Sequence, residues 1–241
     1  MRSFAGRPRP FQRRTLRLPA VLLLIPAITP YTVVHQEAGL VAVDKPAGLA
    51  VIPARGSAAS PPLCELLAAS LGRKVWVVHR LDAATSGLVV FALDAIEHKR
   101  LSKAFEGREV RKVYQAAVLG SASDGSCAQP LKEFGSGRMA PAEDGKPSST
   151  VWRLARRLEG ATLLEVEPHT GRRHQIRVHL NAAGHPVLGD PLYGPAPRPV
   201  GGAPRLMLHA WRLELPDGKG GLLRLEAEPP ADFIAALSAL G

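Results

Sequence analysis

Residues 75–92 read VWVVHRLDAATSGLVVFA, a polar segment between two strongly apolar runs. The apolar runs, residues 75–78 and 88–92, are rich in valine and aromatic side chains, which predicts two buried strands. The polar segment between them, residues 79–87, has the composition of a loop that returns the chain from one strand to the other. This pair of strands is therefore expected inside a β-sheet.

Asp82 is the residue of this loop that turn formation does not explain. Aspartate is common in turns, but Thr85, Ser86 and Gly87 already supply turn-forming residues. A carboxylate beside strands this apolar loses hydration, which is tolerated when a cation compensates it or when the carboxylate is used chemically. Asp82 is thus a candidate functional residue, and a simple turn former is the alternative.

Further short β-rich runs occupy most of the chain from Tyr31 onward. They lie at residues 31–37, 40–46, 113–120, 149–159, 162–168, 206–215 and 222–228, and helical patterns at 61–71, 94–106 and 172–184 separate them. Residues 120–148, rich in glycine, serine and proline, are predicted to be a surface excursion. Strands joined mostly by turns indicate an α+β domain with a largely antiparallel sheet. The sequence contains no glycine-rich phosphate loop, so a nucleotide-binding enzyme is not expected.

The predicted helix at residues 172–184 carries a candidate cation for Asp82. Arg173 and Arg177 are four residues apart, a spacing that places them on one helix face. A guanidinium that reached Asp82 from this face would keep the carboxylate ionised and fix its rotamer. A solvated basic helix face is the alternative interpretation.

The charge of the protein is positive and unevenly distributed. The formal net charge is +10, six arginines fall within residues 1–17, and the first acidic residue is Glu37. A surplus of this kind favours polyanions such as nucleic acid, although a solvated basic surface has the same composition. Residues 1–29 are predicted to be a disordered basic tail. An export or import signal is the alternative, since residues 12–18 read QRRTLRL.

Two further features bear on the compartment. Cys64 and Cys127 are too few for a disulfide framework or a cysteine-based zinc site, so packing in a reducing compartment is their expected role. The apolar run at residues 20–25 is too short to span a membrane. The sequence therefore favours a cytoplasmic protein without membrane association.

Five segments, in this order, resemble the RluA family of RNA pseudouridine synthases. They are VAVDKPAGLAV (residues 41–51), HRLDAATSGLVVFA (79–92), RKVYQAAVLG (111–120), GRRHQIRVHLNAAGHPVLGDPLYG (171–194) and LMLHAWRLEL (206–215). The resemblance extends from about Tyr31 to about Glu228, so we expect a catalytic domain at residues 30–241. It implies the pseudouridine synthase fold, a mixed and mostly antiparallel sheet flanked by helices with a central active-site cleft. It implies neither a metal ion nor an organic cofactor.

The resemblance also implies roles for single residues. Asp82 matches the catalytic aspartate of the family, Tyr114 its active-site tyrosine, and Arg177 the arginine that pairs with the catalytic carboxylate. Arg80 matches a residue that helps to displace the target base from the RNA stack. Their neighbours in the same motifs, His79 and Ile176, are predicted to contact the displaced uridine.

The implied activity is isomerisation of uridines in a transfer RNA or ribosomal RNA stem-loop by a monomeric enzyme. A non-catalytic RNA-binding protein on the same fold is the main alternative. A metal-dependent hydrolase is a second one, because four histidines lie close together in sequence: His169, His174, His179 and His185. Their spacing places them neither on one helix face nor on one strand face, which disfavours a shared metal ion.

Overall fold

The computed structural model describes residues 30–37, 39–53, 60–135, 137–196, 201 and 203–241. The predicted basic tail, residues 1–29, lies outside the described residues, and the limits of the domain at residues 30–241 stay a prediction. The described helices are α1 (Leu63–Leu71), α2 (Ala95–Glu106), α3 (Gln175–Ala182) and α4 (Ala231–Ser238). The described strands are β1 (Thr32–Gln36), β2 (Leu40–Lys45), β3 (Trp76–Val77), β4 (Ser86–Ala92), β5 (Arg111–Leu119), β6 (Gly125–Cys127), β7 (Leu131–Glu133), β8 (Met139–Pro141), β9 (Thr150–Leu158), β10 (Ala161–Pro168), β11 (Leu208–Pro216) and β12 (Leu222–Glu226).

Ten of the described strands form one mixed sheet. Its order is β1-β2-β4-β11-β5-β10-β9-β6, with β3 added to β4 and β12 added to β11. Strands β7 and β8 make a separate antiparallel hairpin. Strands β4 and β11 run parallel, and every other pairing between the described strands is antiparallel. The structure confirms the predicted α+β class with a largely antiparallel sheet.

Strand β4, the second apolar run of the segment at residues 75–92, is buried along its whole length. Because strand side chains alternate, Leu88 and Val90 enter a core that includes residues of α2. Val89 and Phe91 enter a second core, which includes residues of α1. Full burial contributes about 1.5–3 kcal/mol for each such side chain. The loop that precedes β4 is therefore attached to a rigid strand.

One edge of β4 is shared between two partner strands, and Gly87 makes the sharing possible. Strand β11 pairs with Ser86 and Gly87, whereas β3 pairs with residues 91 and 92. Gly87 has a φ of 110°, and a Cβ at this position would lie 2.2 Å from the carbonyl oxygen of Ala210. A residue with a side chain cannot approach β11 so closely. Ala210 in turn faces Tyr114 of β5, which brings β5 next to the 79–85 loop.

Two predicted elements are shorter than their sequence patterns indicated. The apolar run at residues 75–78 forms only the two-residue strand β3, and its side chains are half-buried. The helix predicted at residues 172–184 begins at Gln175, because His174 has a left-handed backbone with a φ of 54°. Arg173 therefore precedes the helix. The prediction that Arg173 shares a helix face with Arg177 is wrong.

The segment at residues 120–148 contains more structure than a surface excursion. Strand β6 extends the main sheet beside β9, and the β7–β8 hairpin follows it. Leu131 and Met139 of this hairpin pack against Val178 of α3 and against Tyr193. The hairpin is consequently attached next to the helix that carries Arg177.

Candidate active site

A cleft of about 560 Å³ lies where the 79–85 loop, strand β5 and the first turn of α3 meet. Its volume falls in the range of sites that hold small ligands. All six residues singled out from the sequence line it: His79, Arg80, Asp82, Tyr114, Ile176 and Arg177. Residues from three separate motifs thus share one cavity, and their individual roles stay predictions.

Asp82 is held through one of its two carboxylate oxygens. Its Oδ2 lies 3.4 Å from Nη1 of Arg177 and 3.8 Å from Nε2 of His174. No described residue donates a hydrogen bond to Oδ1, so this oxygen is available to a ligand in the cleft. The backbone is held as well, since the N–H of Thr85 donates to the Asp82 carbonyl at 3.1 Å. A carboxylate with this arrangement can act as a nucleophile or as a general base.

Arg177 is the buried cation beside Asp82, but its principal partner is Asp190. Its Nε and Nη2 donate to the two oxygens of Asp190 at 2.7 and 2.8 Å, and Nη1 alone extends to Asp82. Burial by itself lowers the pKa of Arg177, but hydrogen bonds and charges from both aspartates more than offset it and raise the pKa. The predicted pairing of Arg177 with Asp82 is therefore only its secondary contact.

Asp190 is the residue of this site that the sequence interpretation missed. It is 1% exposed, and its Oδ1 also accepts the backbone N–H groups of Leu192 and Tyr193 at 2.8 and 3.0 Å. The turn before it requires glycine, because a Cβ on Gly189 would lie 1.7 Å from the Arg205 carbonyl oxygen. In sequence, the segment GDPLYG has the composition of an ordinary turn. The available signal was one acidic residue that follows an arginine-bearing helix.

Tyr114 and Ile176 supply apolar surface in the cleft. Tyr114 is partly buried between two cores, and its hydroxyl makes no hydrogen bond to a described residue. Burial, followed by the negative charge of Asp82, raises the pKa of Tyr114, so its phenol is neutral. Ile176 lies in the first turn of α3 and is 6% exposed. An aromatic face beside an aliphatic side chain suits a planar base.

His79 and Arg80 are adjacent in sequence but differ in their surroundings. The Nε2 of His79 accepts the backbone N–H of Val90 at 2.9 Å, and its ring stacks on Phe105 with centroids 4.5 Å apart. Burial, with a smaller effect of Lys112, lowers the pKa of His79 to about 3. His79 thereby fastens the loop to β4. Arg80 is exposed, and its side chain makes no hydrogen bond or ion pair with a described residue.

Lys45, from the first of the five motifs, binds the backbone of the 79–85 loop. Its fully buried Nζ donates to the carbonyls of Pro46 and Ala83 at 2.8 and 3.0 Å. The N–H of Gly48 donates to the same Ala83 carbonyl at 2.8 Å. Burial lowers the pKa of Lys45 to about 7, and the negative charge of Asp82, which raises this pKa, offsets only part of the effect. Since Ala83 directly follows Asp82, these two donors fix the backbone that carries the carboxylate.

Cationic side chains outnumber acidic ones in the lining of the cleft. Beside Arg177 it includes Arg80, Arg108, Lys112 and Arg172, against the acidic Asp82 and Glu106. The side chains of Arg80, Arg108 and Lys112 form no ion pair with any residue that the structure describes. Unpaired cations around a cleft attract phosphate groups.

Metal-binding clusters and membrane-spanning helices are both absent from the described residues. These residues contain no group of three or more histidine, cysteine, aspartate or glutamate side chains placed to hold a metal ion. None of the helices in the described part of the chain has the length and apolar character needed to cross a bilayer.

Comparison with known proteins gives consistent matches. A sequence model of the family described as RNA pseudouridylate synthase matches residues 39–182. Ribosomal large subunit pseudouridine synthase D of Nitrosomonas europaea is 38% identical over 221 residues, which are 86% of this chain and 64% of that relative. Dual-specificity RNA pseudouridine synthase RluA of Pasteurella multocida is 36% identical over 204 residues, 80% of this chain and 91% of the relative. The solved structure of Human RNA Pseudouridylate Synthase Domain Containing 4 superposes with a TM-score of 0.72 at 26% identity, and covers 86% of this chain and 92% of its own.

The sheet, its flanking helices and the cleft therefore define the pseudouridine synthase fold, as the motifs predicted. The chain belongs to the RluA family of RNA pseudouridine synthases, a family of RNA-modifying enzymes. The chain spans 64% of the length of the Nitrosomonas relative.

Proposed function

We propose that the chain isomerises uridine to pseudouridine in folded RNA, with Asp82 as the catalytic carboxylate. The observation that carries this proposal is the state of Asp82 in its cleft. One oxygen is tethered beside the buried Arg177, and the other accepts no hydrogen bond from a described residue in the cleft that Tyr114 also lines. Family membership supplies the reaction, and the geometry supports these residues as its machinery.

The reaction itself is compatible with this set of side chains. The bond between C1′ of the ribose and N1 of uracil breaks, the ring turns, and a bond forms between C1′ and C5. The C5 proton is released and N1 gains a proton, so no electrons are exchanged with a carrier. Oδ1 of Asp82 is positioned to act as nucleophile or base, and Arg177 stabilises the charge of the carboxylate. Tyr114 and Ile176 hold the detached uracil by contact with its faces.

The target base must leave its stack before it can reach Asp82. Extruding a base costs a few kcal/mol, and the cost is smallest in a loop. Arg80 is proposed to occupy the vacated space, because its side chain is exposed at the cleft and has no partner among the described residues. Arg108 and Lys112 are proposed to bind the phosphates on either side.

Large-subunit ribosomal RNA is the first proposed substrate, because several relatives carry the name ribosomal large subunit pseudouridine synthase D. Transfer RNA is the second, because the Pasteurella relative, whose length is 91% covered, is named a dual-specificity enzyme. The proposed setting is the cytoplasm, with the enzyme acting as a monomer.

The test uses unmodified transcripts of ribosomal RNA and of transfer RNA labelled with tritium at C5 of uracil. Tritium release with the wild-type protein, followed by mapping of the modified position, is the expected result. Binding of both transcripts without release from either would contradict the proposal and favour a non-catalytic RNA-binding protein.

A further inference from the structure

His174 occupies a buried position between Asp82 and Tyr193. Its side chain is 9% exposed, and its Nε2 lies 3.8 Å from Oδ2 of Asp82. Its Nδ1 lies 2.7 Å from the hydroxyl of Tyr193, whose ring it meets edge-on. The left-handed backbone at His174, which costs roughly 1–2 kcal/mol for a residue other than glycine, is what turns the ring into this gap.

The hydrogen bonds of the Tyr193 hydroxyl determine which ring nitrogen of His174 carries the proton. The backbone N–H of Met139 donates to the Tyr193 hydroxyl at 3.0 Å, so the oxygen acts as an acceptor there. The hydroxyl has one hydrogen of its own, and the only described acceptor within reach is Nδ1 of His174. If Nδ1 were protonated, that hydrogen would have no partner in a buried site. Nδ1 is therefore the acceptor, and the proton of the neutral ring lies on Nε2.

We propose that His174 is a positioning residue that presents a neutral Nε2–H to Oδ2 of Asp82. This inference rests on the proposed catalytic role of Asp82. Two donors, Nη1 of Arg177 and Nε2 of His174, then face the same oxygen and leave Oδ1 for the substrate. At 3.8 Å the His174 contact is electrostatic, and we expect it to shorten to a hydrogen bond when RNA fills the cleft.

The same contacts couple the β7–β8 hairpin to the carboxylate. Met139 of β8 orients Tyr193, and Arg173, which directly precedes His174, bonds Glu133 of β7 at 2.8 Å. The hairpin thus contacts the chain around His174 through the buried Met139–Tyr193 hydrogen bond and the exposed Arg173–Glu133 ion pair.

Burial, more than the surrounding charges, favours the neutral ring of His174. Burial, and then the positive charges of Arg177 and Arg173, lower the pKa of His174, whereas Asp82 and Asp190 raise it, and the lowering prevails. Replacing Asp82 by asparagine removes a raising charge. The titration of His174 should therefore move to lower pH in the Asp82→Asn protein.

The first test reads the tautomer directly by nitrogen NMR of histidine-labelled protein near pH 7. The expected spectrum shows His174 protonated at Nε2 and bare at Nδ1, with a titration that moves to lower pH in Asp82→Asn. A proton on Nδ1, an imidazolium ring, or a titration unaffected by Asp82→Asn would overturn the proposal. Because this readout needs no turnover, it separates failure of this inference from failure of the proposed function.

The second test compares single-turnover rates of His174→Gln and His174→Leu. The two substitutions share the same backbone strain, but the glutamine amide can place a donor near the former Nε2. We expect the leucine variant to lose between about tenfold and a hundredfold in rate with RNA affinity kept, and the glutamine variant to regain most of it. Equal rates in the two variants would contradict the positioning role.

His179→Gln is the matched control for these variants. His179 is a buried histidine on α3, bonded to Thr150 and to the Gln129 carbonyl, and it does not line the cleft. Its substitution should lower the thermal midpoint while the rate of folded protein stays within about twofold. An equal rate loss in His179→Gln would assign the effect to helix packing and overturn the proposal.

Discussion

At the residue scale, the site is built on a line of alternating charges: Asp82, Arg177 and Asp190. Arg177 and Asp190 are almost fully buried, whereas Asp82 keeps 27% of its side chain exposed at the cleft. The inner pair is bidentate, so the guanidinium cannot rotate freely and its third nitrogen is directed at Asp82. Asp190 therefore holds Arg177 in the orientation that reaches Asp82.

Asp190→Asn tests whether Asp190 is the counter-charge that stabilises the buried Arg177. The substitution leaves the buried Arg177 without its principal counter-charge, which costs on the order of 3–5 kcal/mol in a buried pair. We expect a large fall in the free energy of unfolding by denaturant titration. Glu226→Gln is the control, because its pair with Arg212 is exposed on both sides and is worth less than about 1 kcal/mol. Comparable losses in the two variants would contradict the burial argument.

At the element scale, the position of the 79–85 loop follows from the start of β4. Buried side chains on both faces hold β4 in place. Next to the two residues of β4 that pair with β3, the backbone N–H of Val90 donates to the side chain of His79. Lys45 donates to the carbonyl of Ala83, the residue that follows Asp82. The close parallel contact between Gly87 and Ala210 then joins β4 to β11. The loop is thereby fixed at both ends.

Gly87→Ala is expected to break this junction. The new Cβ would lie 2.2 Å from a backbone oxygen and the φ of 110° is unfavourable, so we expect a loss of roughly 3 kcal/mol or more in stability. Gly160→Ala is the control, because its φ is also positive, at 65°, but no atom lies within 4 Å of the added Cβ. That variant should lose only about 1–2 kcal/mol. Thermal unfolding of both proteins decides between steric overlap and backbone strain alone.

The sequence predicted the elements whose signals are local and missed those set by distant contacts. The unbroken apolar run at residues 88–92 predicts β4 correctly, because both faces of this strand enter a hydrophobic core. The predicted start of α3 lies before the observed one, because the left-handed turn at His174 delays the start of the helix. This turn is accompanied by contacts of His174 with Tyr193 and Asp82, which are distant in sequence and meet His174 only in the folded protein. Asp190 was missed for the same reason. Its role appears only when the helix and the following turn are brought together around Arg177.

At the scale of the whole molecule, the described arginine and lysine side chains differ in whether they pair with an acidic side chain. Arg111, Arg205 and Arg212 are bound to acidic side chains on the surface. Arg80, Arg108 and Lys112 at the cleft have no such partner among the described residues. RNA affinity should therefore depend on the cleft cations more than on the formal net charge.

The salt dependence of RNA binding measures this difference. Each cation that contacts a phosphate contributes about one unit to the slope of log affinity against log salt. We expect Arg108→Ala and Lys112→Ala each to reduce the slope by about one unit with an RNA stem-loop. Arg224→Ala should leave the slope unchanged, because Arg224 pairs with Glu214 on β11 and does not line the cleft. An unchanged slope in all three variants would place RNA on another surface.

Acid stability gives a second measurement on the whole protein. The pKa of His79 is about 3 in the folded state, against about 6.5 in an unfolded chain. Because the folded value is depressed, the contribution of His79 to stability is complete above pH 6.5 and is lost as pH falls toward 3. Between pH 6.5 and 5 the loss is at most about 2 kcal/mol, because one titrating group contributes at most about 1.4 kcal/mol per pH unit.

His79→Gln is the matched variant for this measurement. It keeps an acceptor for the N–H of Val90 but cannot titrate, so its unfolding free energy should fall less steeply with acid. The same slope in wild type and variant would mean that His79 is not neutral in the folded protein.

Asp82→Asn, compared with wild type on one tritium-labelled RNA, tests the assignment on which the other roles depend. The substitution keeps the size of the side chain and removes its negative charge. We predict that tritium release from C5 of uracil falls below detection while RNA affinity stays within severalfold. Release at the wild-type rate by the Asp82→Asn protein would contradict the assignment of Asp82 as the catalytic carboxylate.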